Sequence, residues 1–223
     1  MSVSNIKNLV RKDMRLLCHP TVFLFFALAC GMLFIPEYPR PVGFFYVLIA
    51  IMNVFTLDVQ GKDHEFCGLL PVQKRESVLA RVLTVALYEL VLLVITAPFA
   101  FFSGALITKW GIVNSAGMNT NLILYAIVLL GYAAYNLIVI PGAYHKQFKV
   151  YFRSFIGMLA YSSIIALELL IHNLRGDMEF LNGTSASELT RQIPFLLGAL
   201  AIFVIANAIA YFIASHRYEK AEI

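Results

Sequence analysis

The sequence predicts an all-α membrane protein with six transmembrane helices, an N-terminal amphipathic interfacial helix and a short cytoplasmic helix between spans two and three. Three observations carry this expectation. The 223-residue chain is 60% hydrophobic and 13% charged, with mean hydropathy +0.78, whereas a soluble domain is about 45–50% apolar and about 25% charged. Its apolar residues gather in six runs of about the length a helix needs to cross a bilayer, roughly 17–25 residues. Its basic residues flank those runs rather than collecting on one module, which argues for membrane-flanking charge and against a nucleic-acid partner.

The segment Ser2 to Cys18 comes first. It holds Lys7, Arg11, Lys12, Asp13 and Arg15 with no small-residue cleavage site behind it, so it is not read as a cleavable signal. Ile6, Leu9, Val10, Met14 and Leu17 recur at helical spacing. That pattern predicts an amphipathic helix in the inner interface with its cations toward anionic lipid heads, or else a plain extension of span one.

The spans are expected near 20–36, 42–58, 82–107, 122–142, 155–172 and 193–214. Pro36, Pro39 and Pro41 separate the first two, since proline cannot continue a helix. Pro98 predicts a kink or tilt in the third. In the last, Ala206, Ala210 and Ala214 form a small-residue face beside Asn207, a candidate helix–helix contact within or between subunits. With the N-terminus inside, 13 of the 17 Lys and Arg fall on the cytoplasmic side and 4 outside. This bias places both termini of the membrane protein in the cytoplasm.

Few residues suggest chemistry. Glu89 and Glu168 are carboxylates inside spans, and each is either a pathway group or a packing group. Ser162 and Ser163 precede Glu168 and extend it into a polar strip. HExxH, GxSxG and the P-loop pattern GxxxxGK[ST] are all missing. The five histidines lie at or beyond span ends, and Cys18, Cys30 and Cys67 lack paired spacing, so no metal site or disulfide is expected. Asn182-Gly-Thr184 matches a glycosylation acceptor but is read as a chance triplet. No catalytic residue is assigned.

The loop from Gln60 to Arg81 is the most informative stretch. Phe66, Leu69 and Leu70 would share one face of a short helix, which Pro71 ends. An apolar face held outside the bilayer needs a partner, either lipid or a protein groove.

At these residues the chain resembles a family. Asp58, Glu65, Leu70, Pro71, Arg75 and Arg81 follow the pattern Asp-x(6)-Glu-x(4)-Leu-Pro-x(3)-Arg-x(5)-Arg, and Lys12-Asp13-Met14-Arg15 follows a basic KD-x-R opening. Both look like ABC-2 type transporter permeases, in particular the small bacterial subunits that export peptides such as phenol-soluble modulins. The resemblance implies a type V ABC exporter-like fold whose cytoplasmic coupling helix docks on a separate ABC ATPase subunit, which binds ATP and Mg; this chain itself would carry no cofactor. It makes Glu65, Phe66, Leu69, Leu70, Pro71 and Arg75 the docking segment, with Lys74, Arg75 and Arg81 as surface contacts. It also implies a second permease subunit, identical or different, and a pathway lined by spans one, two and five, near Glu168. An amphipathic or hydrophobic cargo, a peptide for example, follows. A membrane-embedded enzyme and a non-transporting immunity or binding protein are the alternatives.

Overall fold

The computed structural model describes residues 2–16, 20–35, 37–109, 117–144, 149–174 and 179–220, and their secondary structure is entirely helical. Helix α1 (Val3–Leu16) lies 80° from α2 (Thr21–Met32). The 12 residues of α2 cover only about 18 Å at about 1.5 Å per residue, short of the roughly 30 Å hydrocarbon core. Tighter turns extend it, because Leu33, Phe34 and Ile35 donate to the carbonyls of Cys30, Gly31 and Met32. The first apolar run is therefore a short helix with a 3₁₀-like end.

After the proline-rich turn, a 3₁₀ segment (Arg40–Phe45) runs directly into α3 (Tyr46–Gln60). Helix α4 (Asp63–Leu69) follows, then α5 (Lys74–Lys109), α6 (Leu122–Ala143), α7 (Val150–Leu174) and α8 (Ala186–Lys220). Among the described residues, five helical stretches are long and apolar enough to cross a membrane, Arg40–Gln60, Lys74–Gly104, Leu122–Ala143, Val150–Leu170 and Ala186–Lys220, and the bent pair Val3–Leu16 and Thr21–Met32 passes the same test when taken together. The chain is a multi-pass membrane protein. With 36 and 35 residues, α5 and α8 reach roughly 50 Å each and must project beyond the hydrocarbon core.

Helix α6 is the centre, packing most extensively on α8 and then on α7. Toward α8 the packing uses small residues: Ala206, Ala210 and Ala214 are buried together with Ala199 and Phe203. The small face expected from the sequence is thus consumed inside the chain. Toward α7 the packing is reciprocal. Gly131 of α6 makes room for the Tyr161 ring, and Gly157 of α7 makes room for Tyr135, where a Cβ would stand 2.7 Å from the ring. Tyr132 and Tyr161 stack with centroids 5.7 Å apart.

Those tyrosines also bind backbone. The hydroxyls of Tyr161, Tyr132 and Tyr135 donate to the carbonyls of Pro41 (2.8 Å), Phe44 (3.0 Å) and Leu48 (3.2 Å). Positions 41, 44 and 48 share one side of the segment leading into α3, so three phenols from α6 and α7 pin its entry. All three tyrosines are fully buried. The outward faces of α7 and α8, with Phe155, Leu159, Leu197, Val204 and Phe212, form the exposed apolar rim.

Candidate functional site

The densest polar cluster lies where α1, α3, α4 and α5 meet, on the face of the molecule that carries the start of α5. Local sequence explains the crossing. Gly61 and Lys62 end α3, with Lys62 in the left-handed region (φ 51°), and α4 begins at the next residue. Leu70 is extended (ψ 151°), as the residue before Pro71 prefers. About two helical turns are thereby held between two breaks.

Arg81 of α5 is the hub. Its Nε lies 3.0 Å from Asp13 Oδ2, and its Nη2 lies 3.1 Å from Asp58 Oδ1 and 2.9 Å from Asp63 Oδ2. Lys12 Nζ donates to both Asp63 oxygens, at 2.7 and 2.6 Å, and stands 3.2 Å from Asp13 Oδ1 and from Cys67 Sγ. Arg81 is 4% exposed and Asp58 fully buried. Three carboxylates and two cations thus hold together four helices.

The surroundings set the proton affinities. Burial pushes the Asp13 carboxyl up, and the charges of Arg81 and Lys12 offset this only partly, so it remains above its ordinary value. Burial alone would lower Lys12, but Asp63 and Asp13 more than reverse this and hold it above its ordinary value. Burial also raises Cys67, which leaves an inert protonated thiol.

A second tie fixes α1. Glu76, in the first turn of α5, accepts from the Ser2 backbone (2.5 Å) and Asn5 Nδ2 (3.0 Å). Between the two ties, Leu9 packs with Cys67 and Ala80, with Val10 alongside. The apolar face of α1 is therefore spent on α4 and α5, not on the bilayer.

The α4 segment has two sides. Cys67 is buried beneath it, whereas Phe66 is 52% and Leu69 84% exposed. Leu70 is half-buried and Pro71 exposed; Glu65 lies in α4, with its side chain outside those described. Arg75 makes a two-pronged ion pair with Glu219 at the end of α8 (2.6 and 3.0 Å), and Lys74 reaches the Tyr218 carbonyl (3.4 Å) and ring (5.3 Å). Arg75 remains at the surface. Arg81 does not, because a side chain enclosed by three aspartates has no surface to offer.

The intramembrane carboxylates separate in the same way. Glu89 is fully buried, and its Oε2 accepts from Asn136 Nδ2 (2.8 Å), which also approaches Asn207 Oδ1 (3.2 Å). This clamp ties α5, α6 and α8. Glu168 is buried at the opposite end, in a narrow crevice shared with Arg40, Asn121 and Asn182. Ser162 and Ser163 face outward, so the polar strip expected with Glu168 does not form. A larger crevice of about 470 Å³ opens between the end of α3 and the start of α7, lined by Thr56, Val59, Gln60, Lys149, Tyr151 and Phe152.

Asn182 is also engaged: its amide donates to Gly117 O (2.6 Å) and accepts from Asn119 N (2.9 Å). Cys18, His19 and His145 lie outside the described residues, while Cys30 and Cys67 are buried and unbridged.

Sequence reasoning found Asp13, Lys12, Asp58 and Arg81 only as parts of two separate motifs. It missed Asp63 as a cluster member and missed Asn136. A lone amide inside an apolar run was the available signal for Asn136.

The family model described as ABC-2 family transporter protein matches residues 8–219. No curated protein and no solved structure matches. The chain belongs to the ABC-2 transporter family and is a transmembrane permease, a transport component of an ABC transporter. Membership implies an ABC ATPase as partner.

Proposed function

We propose that this permease exports an amphipathic or hydrophobic cargo, a peptide being the first candidate, and that the ATPase docks on α4 with both termini of the chain in the cytoplasm. The observation carrying this reading is the construction of α4. It offers Phe66 and Leu69 outward, while Asp63 and Cys67 on its inner side are bound to Lys12 and Arg81. A ligand that engages the outward side meets a helix already wired to α1, α3 and α5.

Docking work then has a route inward. ATP binding would draw two ATPase subunits together, each moving its α4, and the Arg81 cluster would pass that displacement to α3 and α5. The permease changes state only by the difference in ATPase binding to its two states. The apolar crevice between α3 and α7 supports a pathway beside spans two and five that admits cargo from the bilayer. Glu89, held by the Asn136 amide, acts in packing on this reading, and Glu168 lies beside the outer end of the pathway. The second subunit is a copy of this chain or a related one.

The test is co-purification with an ABC ATPase subunit co-expressed with this chain. Phe66→Asp and Leu69→Asp should each abolish association and ATP-driven export while leaving the membrane subunit monodisperse in detergent. Full association with both substitutions in one chain would overturn the docking assignment.

A further inference from the structure

We infer that the outer face of α1 is a binding site for anionic phospholipid headgroups, engaged by Lys7, Arg11 and Arg15 through charge alone. This goes beyond the exporter reading and holds whether or not α4 docks an ATPase.

The three cations recur at four-residue spacing and therefore stand one above another along the helix. All three are exposed. They lie opposite Leu9 and Asp13, the buried residues of α1. The helix has one carboxylate, Asp13, and Arg81 and Lys12 already claim it. Among the described residues, the ion pairs of this face of the molecule involve Lys12, Arg75 and Arg81, not these three. A cationic stripe without counter-charge lowers its free energy by recruiting anions.

Position selects headgroups over a protein surface. Helix α1 lies 80° across α2, whose first turns expose Phe23 (69%) and Leu24 (64%) to the bilayer. The stripe therefore lies in the membrane plane, just beyond the level at which α2 becomes apolar. Leu16, 67% exposed beside Arg15, marks the same boundary. An amphipathic helix normally holds the membrane by its apolar face. Here that face is occupied by α4 and α5, so electrostatics are left to recruit lipid.

One consequence follows for the cluster behind the stripe. Lys12 and Asp13 are on the inner side of the same helix, so headgroups holding its outer side also steady the Arg81 cluster.

The experiment uses the full chain in detergent with equimolar phosphatidylglycerol and phosphatidylcholine, counting retained lipids by native mass spectrometry. Wild type should retain phosphatidylglycerol preferentially, the preference shrinking as salt rises. Each cation removed should cost about fivefold, in order from Arg11→Gln alone to the K7Q/R11Q/R15Q triple variant. Arg11→Lys with Arg15→Lys should keep the preference, since a point charge suffices. If the single Arg11→Gln and the triple variant both keep wild-type preference, the site is not there. Unchanged lipid retention with loss of an acidic protein partner would equally overturn the inference in favour of a protein-docking face.

Discussion

The Arg81 cluster and the Glu89 clamp both hold helices together through buried polar groups, and they do so by opposite means. The first joins α1, α3, α4 and α5 with five charged side chains at 2.6–3.2 Å. The second joins α5, α6 and α8 with one carboxylate and two amides. Around the clamp, packing is by glycine, alanine and pinned tyrosine, which fit in one arrangement or not at all. Around the cluster, one cation is shared among several carboxylates, so partners can be exchanged without any charge being stranded. Helix α5 alone belongs to both. The comparison divides the molecule into a block, α6 to α8, and an ionic linkage hung from the start of α5.

Breaking the linkage should give the largest effect. Arg81→Met leaves Asp13, Asp58 and Asp63 facing one another without their common counter-ion. Stranding buried charge in this way costs about 3–5 kcal/mol, enough to lower the thermal midpoint in detergent sharply or prevent recovery of the protein. Arg81→Lys, which keeps the charge and loses the fork, should fall between. A midpoint unchanged in Arg81→Met would mean that the cluster does not hold the four helices together.

The block should break by shape instead. Gly131→Ala places a methyl group inside the Tyr161 ring and should cost roughly 1–3 kcal/mol, read as a lower unfolding midpoint. Tyr161→Phe keeps the ring and loses one hydrogen bond, about 1 kcal/mol. If the two substitutions ranked the other way, the phenol-to-carbonyl pins rather than the close fit would dominate the block.

The two regions were unequally legible in the sequence. Apolar runs and basic flanks suffice for an all-α membrane chain, because hydrocarbon permits few alternatives. The end of α2 at Met32 was not visible, since its apolar run continues through Ile35 while the backbone tightens. The α4 segment was legible because Pro71 and the spacing of Phe66 and Leu69 are local signals. The convergence of residues 12–13, 58, 63 and 81 was not, since no periodicity relates positions on four helices. The tyrosines were ambiguous for a related reason. A Tyr in an apolar run suits an interface as well as a core, and only the carbonyls of Pro41, Phe44 and Leu48 decide between them.

The smallest effect distinguishes how the charges of the linkage are held. Lys12 sits above its ordinary value of 10.5, so its pairing stabilises the fold fully below that pH and is lost as pH rises through the folded value. Asp13 is also raised, from 3.8. Its contribution is fullest when protonated and declines as pH rises through its folded value. Both shifts therefore make stability fall with rising pH, in two separate windows. Melting curves across pH should show an acid-side decline that Asp13→Asn flattens and an alkaline decline, above about pH 10.5, that Lys12→Met flattens. The clamp variant Asn136→Leu should leave both declines in place, since it touches neither group. Were Lys12→Met to leave the alkaline limb intact, the Lys12–Asp63 contact would be a surface pairing of little weight, and Arg81 alone would hold α4 to the rest of the linkage.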